Sequence, residues 1–193
     1  MLVEIDYSLI TELNLKCKNL NELPDLSKYI NLQSLKYNNN YITLLDNLPQ
    51  TLETLVIMDN KITSLDNLPA LLQRLQCSNN KITSLDNLPQ SLKELYCNIN
   101  KINSLDNLPK SLKILCCFEN NLITLDNLPK TLDELVCYDN NINITLYNFI
   151  NNNTNKLKHI PIICIINIDL IKKIGEKTIV FGKKNIYLII TFI

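Results

Sequence analysis

The chain repeats one pattern of apolar and polar positions every 20 residues. The phrase Ile-Thr-Ser-Leu-Asp-Asn-Leu-Pro begins at Ile62 and at Ile82, and it returns at Ile102 with Asn in place of Thr. Extending this register gives two columns of Leu and one of Asn. The columns are Leu35, Leu55, Leu75, Leu95, Leu115 and Leu135; Leu32, Leu52, Leu72, Leu92, Leu112 and Leu132; and Asn40, Asn60, Asn80, Asn100, Asn120 and Asn140. Self-similarity at this period predicts a solenoid of stacked coils.

Each part of the unit predicts one part of a coil. Apolar residues alternate over Leu75-Gln-Cys77, as in a short strand with one buried face. The Asn that follows ends the strand, because its amide can bond to backbone groups where the chain turns. We expect Asn60, Asn80, Asn100 and Asn120 to be buried and bonded to the backbone of their own and neighbouring coils.

The period also limits the fold class. Stacked strands predict a mainly β, curved solenoid with a parallel sheet of about seven strands on its concave face. The rest of each unit is too short for a full α-helix, and Pro cannot donate to a strand ladder. The convex side is therefore expected to be extended, with at most a 3₁₀ turn around Pro-x-x-Leu.

The repeats define the domain organisation. We predict an N-terminal cap over residues 1–9, about seven repeat units over 10–146 and an Asn-rich break over 147–156. The first unit is longer, with 22 residues from Leu13 to Leu35. Residues 157–193 contain a degenerate repeat that begins near Ile162 and then a pattern typical of a β-hairpin. We expect this C-terminal segment to cap the solenoid.

The unit L-x-x-L-x-C-x-x-N-x-I resembles the leucine-rich repeat. The resemblance covers about residues 10–146. The short unit with Leu-Pro-x-x-Leu is similar to the repeats of secreted bacterial effectors. The bias towards Asn, Ile and Lys and the phrase Leu-Asp-Asn-Leu-Pro resemble leucine-rich-repeat proteins of giant amoebal viruses. The resemblance implies a concave surface that binds a protein.

Charge and apolar content limit the other partners. The net charge is zero, but residues 1–150 carry −5 and residues 151–193 carry +5. An acidic body does not attract nucleic acid along its length. The N-terminal residues lack a basic signal region, and the apolar runs in the tail are too short to cross a membrane as a helix. We expect a monomeric chain with a protein partner, no nucleic-acid or membrane partner, and a cytoplasmic location, with a host cytoplasm as one alternative.

Seven Cys are present, and four of them form a column in the repeats. These four are Cys77, Cys97, Cys117 and Cys137. Tyr37 and Ile57 share this column, which favours apolar filling of the core over the alternatives of a metal site or disulfides. Buried thiols suit a reducing compartment. Cys116 is expected to point outwards, as an inert surface thiol or, alternatively, a reactive one.

The Asp column and the single histidine are the remaining candidates for a metal or catalytic site. An Asp column at Asp46, Asp66, Asp86, Asp106 and Asp126 lacks the glycine-rich turns of calcium-binding solenoids. We therefore favour a role in the turns, with repulsion offset by the Lys column at 61, 81 and 101 or by amides at the corners. His159 is the only histidine, so no histidine cluster can form. We predict no enzyme activity, no catalytic residue, no metal and no cofactor.

The binding surface follows from strand alternation. Residues that flank the inward Leu and Cys face the concave side, including Arg74, Glu94, Glu134 and Ser78. The fold does not require apolar residues there, yet several occur. The predicted partner-binding residues are Val56, Met58, Gln76, Tyr96, Asn98, Ile114, Cys116, Phe118, Val136 and Tyr138. Ordinary β-propensity is the alternative explanation for the apolar members of this set.

The sequence therefore predicts a protein-interaction module. The alternative is a substrate-recognition adaptor for a ubiquitin ligase that acts in trans. A ligase domain within the chain is not expected, because the residues after Leu146 are few and have a strand-like pattern.

Overall fold

The computed structural model describes residues 5–142 and the short strand Ile162–Ile163. A 3₁₀ helix over Tyr7–Leu9 precedes the sheet, and it is the only helix in the described residues. Seven strands of three residues follow, and Ile162–Ile163 forms β8. Strands β1 to β7 are Glu12–Asn14, Ser34–Lys36, Thr54–Val56, Arg74–Gln76, Glu94–Tyr96, Ile114–Cys116 and Glu134–Val136.

The strands form one parallel sheet in chain order, so each coil pairs only with its neighbours. The register aligns equivalent repeat positions, and Leu13 pairs with Leu35 across the longer first unit. The predicted parallel solenoid is confirmed. β8 pairs with β7, with Ile162 opposite Leu135. The predicted hairpin at the C-terminus lies outside the described residues, and the two end caps stay predictions.

The side opposite the sheet contains the predicted turns. In each Pro-x-x-Leu phrase the Leu N–H donates to the Pro carbonyl three residues earlier, as in Leu92 to Pro89 at 3.1 Å. The preceding Asn has a positive φ, for example 63° at Asn87. Asn is one of the few residues that tolerate this region, so the Asp-Asn-Leu-Pro phrase can turn without glycine.

The core lies between the sheet and these turns. It consists of the repeated Leu, Ile and Cys positions, and Leu55, Leu75 and Leu95 are completely buried. Cys77 and Cys97 are also buried, and both carry free thiols. Burial raises the pKa of the Cys77 thiol to about 12 and raises the pKa of the Cys97 thiol well above its usual range, so both stay protonated. The Cys column fills the core, as expected.

The Asn column connects adjacent coils. The side-chain amide of Asn120 donates to the carbonyl of Cys97 in the previous coil and of Cys117 in its own coil, both at 3.1 Å. Its Oδ1 accepts from the N–H of Ile102 at 3.0 Å. The predicted bonds of the Asn column are confirmed. The predicted burial holds for Asn120 but is wrong for Asn60, Asn80 and Asn100, which keep partial exposure.

The charges of the Asp column are stabilised by hydrogen bonds at the corners. Asp86 accepts from the Ser84 hydroxyl at 2.6 Å and from the Asn107 side chain of the next coil at 3.1 Å. These bonds, with that of Ser84 first, lower the pKa of Asp86. The salt bridges within the described residues are Arg74–Glu94 and Lys113–Asp133. The offset therefore comes from hydroxyls and corner amides and not from the Lys column.

Candidate protein-binding surface

The sheet register brings the predicted binding residues into rows on the outward face. The third residues of successive strands lie side by side, so the row reads Val56, Gln76, Tyr96, Cys116 and Val136. The Leu before each of these residues is fully buried, and the side chains on either side of it point away from the core. All ten predicted binding residues are half-buried. We call their shared surface the concave face.

The C-terminal half of the concave face is apolar. The rings of Phe118 and Tyr138 are stacked, with centroids 4.3 Å apart and planes 9° from parallel. Cys116 pairs in register with Tyr96 on one side and Val136 on the other. We call the surface formed by Tyr96, Ile114, Cys116, Phe118, Val136 and Tyr138 the aromatic patch.

Tyr96 is held in place by the two strands at the margin of the patch. The guanidinium of Arg74 lies 5.2 Å from the centre of the Tyr96 ring and forms a 2.8 Å ion pair with Glu94. The Tyr96 hydroxyl donates to Glu94 at 3.4 Å. Burial, and after it the Glu94 carboxylate, raises the pKa of Tyr96. A ring fixed in this way loses little side-chain entropy on binding, which suits an interface anchor.

Cys116 lies within the aromatic patch. It is half-buried between its neighbours, and burial raises its pKa to about 11. The thiolate is the nucleophilic form, and very little of it is present at neutral pH with such a pKa. The structure therefore favours the inert interpretation of this thiol, with packing in the patch as its role.

One residue expected to be exposed on this face is buried. Ser78 is 6% exposed, because its hydroxyl donates to the Asn98 side chain at 2.6 Å, next to the Tyr96 carbonyl at 3.3 Å. The prediction that Ser78 is exposed was wrong. Its hydrogen bond nevertheless orients Asn98, one of the predicted binding residues.

Carboxylates surround the aromatic patch. Glu119, Glu134 and Asp139 are exposed, and none of them takes part in a salt bridge to the described residues. Glu134 adds to the rise in the pKa of Cys116, which is caused mainly by burial. Burial also raises the pKa of Tyr138, and Cys116, Glu119 and Asp139 add to that shift. We call these three carboxylates the acidic rim.

Ile99 has a strained backbone beside this surface. Its φ is 56°, in the left-handed region, and its side chain is 39% exposed. The equivalent residues of the other coils are Cys17, Asn39, Asp59, Asn79, Glu119 and Asp139, all with positive φ. Asn and Asp tolerate this conformation, whereas a β-branched residue is an outlier. Sequence reasoning missed Ile99, although it is the only β-branched residue at this position in the described repeats.

Other kinds of site have little support in the described residues. Residues 5–142 contain no group of three or more His, Cys, Asp or Glu side chains that could hold a metal ion. No helix in the same part of the chain is long and apolar enough to cross a membrane.

Known structures share this architecture. YopM from Yersinia enterocolitica WA-314 is 38% identical with a TM-score of 0.59, and the match covers 63% of this chain and 27% of YopM. The leucine-rich-repeat domain of a Shigella effector is 26% identical with a TM-score of 0.63, and 83% of each chain is covered. The functional domain of InlJ from Listeria monocytogenes, which includes a cysteine ladder, is 29% identical with a TM-score of 0.59, over 81% of this chain and 39% of InlJ.

These comparisons define the class of the fold. The chain forms a leucine-rich-repeat solenoid, and it spans little more than a quarter of the YopM chain that it matches. No protein-family model matches the sequence, and a search of curated proteins finds no match.

Proposed function

We propose that this protein binds a partner protein through its concave face and catalyses no reaction. The observation that carries the proposal is the aromatic patch, in which apolar and aromatic residues occupy outward positions that stacking of the coils leaves free. Clustered aromatic residues on a rigid scaffold are the usual anchors of protein interfaces. β-propensity alone accounts for single Val or Ile residues, but not for the stacked Phe118–Tyr138 pair next to a fixed Tyr96.

The fold gives this patch the rigidity that binding requires. Each strand pairs with both neighbours, and the Asn column bonds adjacent coils at the end of the strands. The patch is therefore preorganised, and association need not order the backbone. The likeness to effector and internalin structures supports a role in protein interaction.

The test is a double substitution in the patch. A partner is first captured from cells with the full chain, and its affinity is then measured by calorimetry. Tyr96→Ala with Phe118→Ala should weaken binding by at least ~2 kcal/mol, because two anchors are removed from the interface. Circular dichroism should show an unchanged fold.

A matched control uses exposed apolar residues away from this face. Tyr41 is 46% exposed and Leu44 is 61% exposed, and neither belongs to a strand. Tyr41→Ala with Leu44→Ala should leave affinity unchanged. Undiminished binding by the folded Tyr96/Phe118 variant would move the site off the concave face.

A narrower role as a substrate-recognition adaptor for a ubiquitin ligase in trans remains the alternative. Its support is the resemblance to effector repeats. The adaptor role requires a ligase in the captured complex and ubiquitin transfer to the partner that depends on Tyr96 and Phe118. A complex that contains the partner but no ligase would contradict the adaptor role and leave the binding proposal intact.

We further propose a monomer that acts in the cytoplasm, including that of a host cell. Free buried thiols such as Cys77 and Cys97 suit a reducing compartment. The resemblance to proteins of giant amoebal viruses supports a viral origin. Cell fractionation and sedimentation of the purified chain test the location and the oligomeric state.

A further inference from the structure

We propose that the aromatic patch and its acidic rim bind an extended segment of a partner in which apolar side chains are flanked by Lys or Arg. This inference rests on the proposed function and names the chemistry of the partner. Two features support it because they lie next to each other. One is an apolar surface, and the other is a set of carboxylates that have no salt-bridge partner among the described residues.

The apolar surface selects apolar side chains of the partner. Phe118 and Tyr138 present stacked rings, and Tyr96, Cys116 and Val136 lie side by side in register two residues earlier along the strands. Ile99 adds an exposed apolar side chain beside this half of the face, in a backbone conformation that disfavours it. Such strain persists where the side chain has a use, and contact with an apolar partner provides one.

The rim selects positive charge. Glu134 lies at the first position of β7 and adjoins Ile114 in register, and Glu119 and Asp139 directly follow Phe118 and Tyr138. Glu119 and Asp139 occupy equivalent positions of neighbouring coils, where like charges repel and lower stability unless a cation neutralises them. Elsewhere on the face, the Glu94 carboxylate is neutralised by Arg74. The rim has no cationic partner among the described residues, and we assign that role to a basic partner.

The dimensions favour a short extended segment. The patch spans β5, β6 and β7, and parallel strands lie about 4.8 Å apart, so three strands cover about 10 Å. An extended chain rises about 3.3 Å per residue, and its side chains alternate between two faces. About four residues can therefore cross the patch, with apolar side chains on the rings and basic side chains reaching the rim.

The probe is a short synthetic peptide that alternates Lys with Leu, compared with the same peptide carrying Glu in place of Lys. Binding to the full chain is measured by fluorescence anisotropy. The Lys peptide should bind, and the Glu peptide should bind at least about tenfold more weakly. Raising the salt from about 0.05 to 0.5 M should weaken the Lys peptide, because exposed charges are screened.

Two triple variants locate the charge effect. Glu119→Gln with Glu134→Gln and Asp139→Asn should raise the Kd for the Lys peptide about tenfold and remove most of its salt dependence. Glu12→Gln with Glu22→Gln and Glu53→Gln makes the same change in net charge at exposed sites near the N-terminus and should leave the Kd within about twofold. Equal losses in both variants would overturn the inference, because only net charge would then matter.

Failure of this inference differs from failure of the proposed function. If both peptides bound equally well and both lost binding in the Tyr96/Phe118 double variant, the concave face would remain the binding site. Selection for basic side chains would then be overturned. If the Lys peptide did not bind, the proposal of a basic partner segment would be overturned. Loss of binding to the captured partner in the double variant would still support the concave face as the binding site.

A photo-crosslinking residue at Ile114 tests the other occupants. Crosslinks to the Lys peptide in the full chain support the proposal. Crosslinks from Ile114 to the chain's own Lys-rich residues 156–184, or to a second copy, would overturn it, since the patch would then be covered without a partner.

Discussion

The inward and outward positions of the same strands differ in how far the sequence varies. Inward, Leu55, Leu75, Leu95 and Leu115 repeat without change and are completely buried. Outward, the residue directly after each of these is Val, Gln, Tyr or Cys. Inward side chains must fit the coils above and below at interior packing density, whereas outward ones are only half-buried and leave one side open to solvent. The repeat therefore specifies the scaffold, and its variable positions are free to specify binding.

The largest expected effect concerns the Asn column on the scaffold side. Asn120→Leu should leave the Ile102 N–H without its side-chain partner. It also removes one of two amide donors from each of the Cys97 and Cys117 carbonyls, which keep Asn100 and Asn140. A buried group left unpaired costs about 1–3 kcal/mol. Asn80→Leu breaks the same kinds of bond at a half-exposed site, where water can replace part of the loss.

Urea denaturation measures both variants against the wild type. The loss of unfolding free energy should be larger for Asn120→Leu than for Asn80→Leu. Asn38→Leu, which changes an Asn outside the column, should cost less than about 0.5 kcal/mol. Equal, small losses in all three variants would show that the column does not hold the coils together.

A smaller effect of opposite sign is expected on the outward side. Ile99→Asn replaces a β-branched residue at φ 56° with the residue type found at the equivalent Asn79. The left-handed conformation costs L-residues roughly 1–2 kcal/mol, and Asn less, so this variant should be more stable by about 1 kcal/mol. If Ile99 contacts the partner, the same variant should bind it more weakly.

The reciprocal substitution is the control. Asn79→Ile should destabilise the protein by a similar amount, since it places a β-branched residue at φ 54°. Thermal unfolding and partner affinity are measured on both variants. If the Ile99→Asn variant were less stable than the wild type, the strain argument would be contradicted. If it were more stable but bound the partner with unchanged affinity, Ile99 would not belong to the interface.

The scaffold was predictable from the sequence for the same reason that it repeats. Stacking places identical demands on every coil, so the Leu, Asn and Pro positions report the strand, the hydrogen-bonded column and the turn directly. The ten outward residues could also be placed, because alternation along a strand fixes their side. The burial of Ser78 was missed, since it depends on a hydrogen bond to the particular residue Asn98 in the next coil.

The electrostatics of the site could not be read from the repeat. Arg74, Glu94 and Glu134 occupy equivalent outward positions. Arg74 and Glu94 form a salt bridge, whereas Glu134 has none within the described residues. The strain at Ile99 likewise depends on its positive φ. Most equivalent positions hold Asn or Asp, which tolerate a positive φ, so the sequence pattern does not reveal the strain. The sequence therefore predicts which positions face outward, whereas the structure is needed to show how they combine.

The smallest expected effect is the acid sensitivity of the corner Asp residues. Hydrogen bonds from Ser64, Ser84 and Ser104, and then from Asn in the next coil, lower the pKa values of Asp66, Asp86 and Asp106 below 3.8. A carboxyl group whose pKa is lower in the folded state stabilises the protein above its unfolded pKa. That contribution is lost as the pH falls through the folded value. The thermal midpoint should therefore be level above about pH 5 and decline below about pH 4. Because these groups are fully exposed, the decline should be modest. Asp66→Asn with Asp86→Asn and Asp106→Asn removes the three titrating groups, so its midpoint should fall less steeply than the wild-type midpoint in acid. Parallel curves for the two proteins would show that the corner bonds do not stabilise the ionised Asp residues.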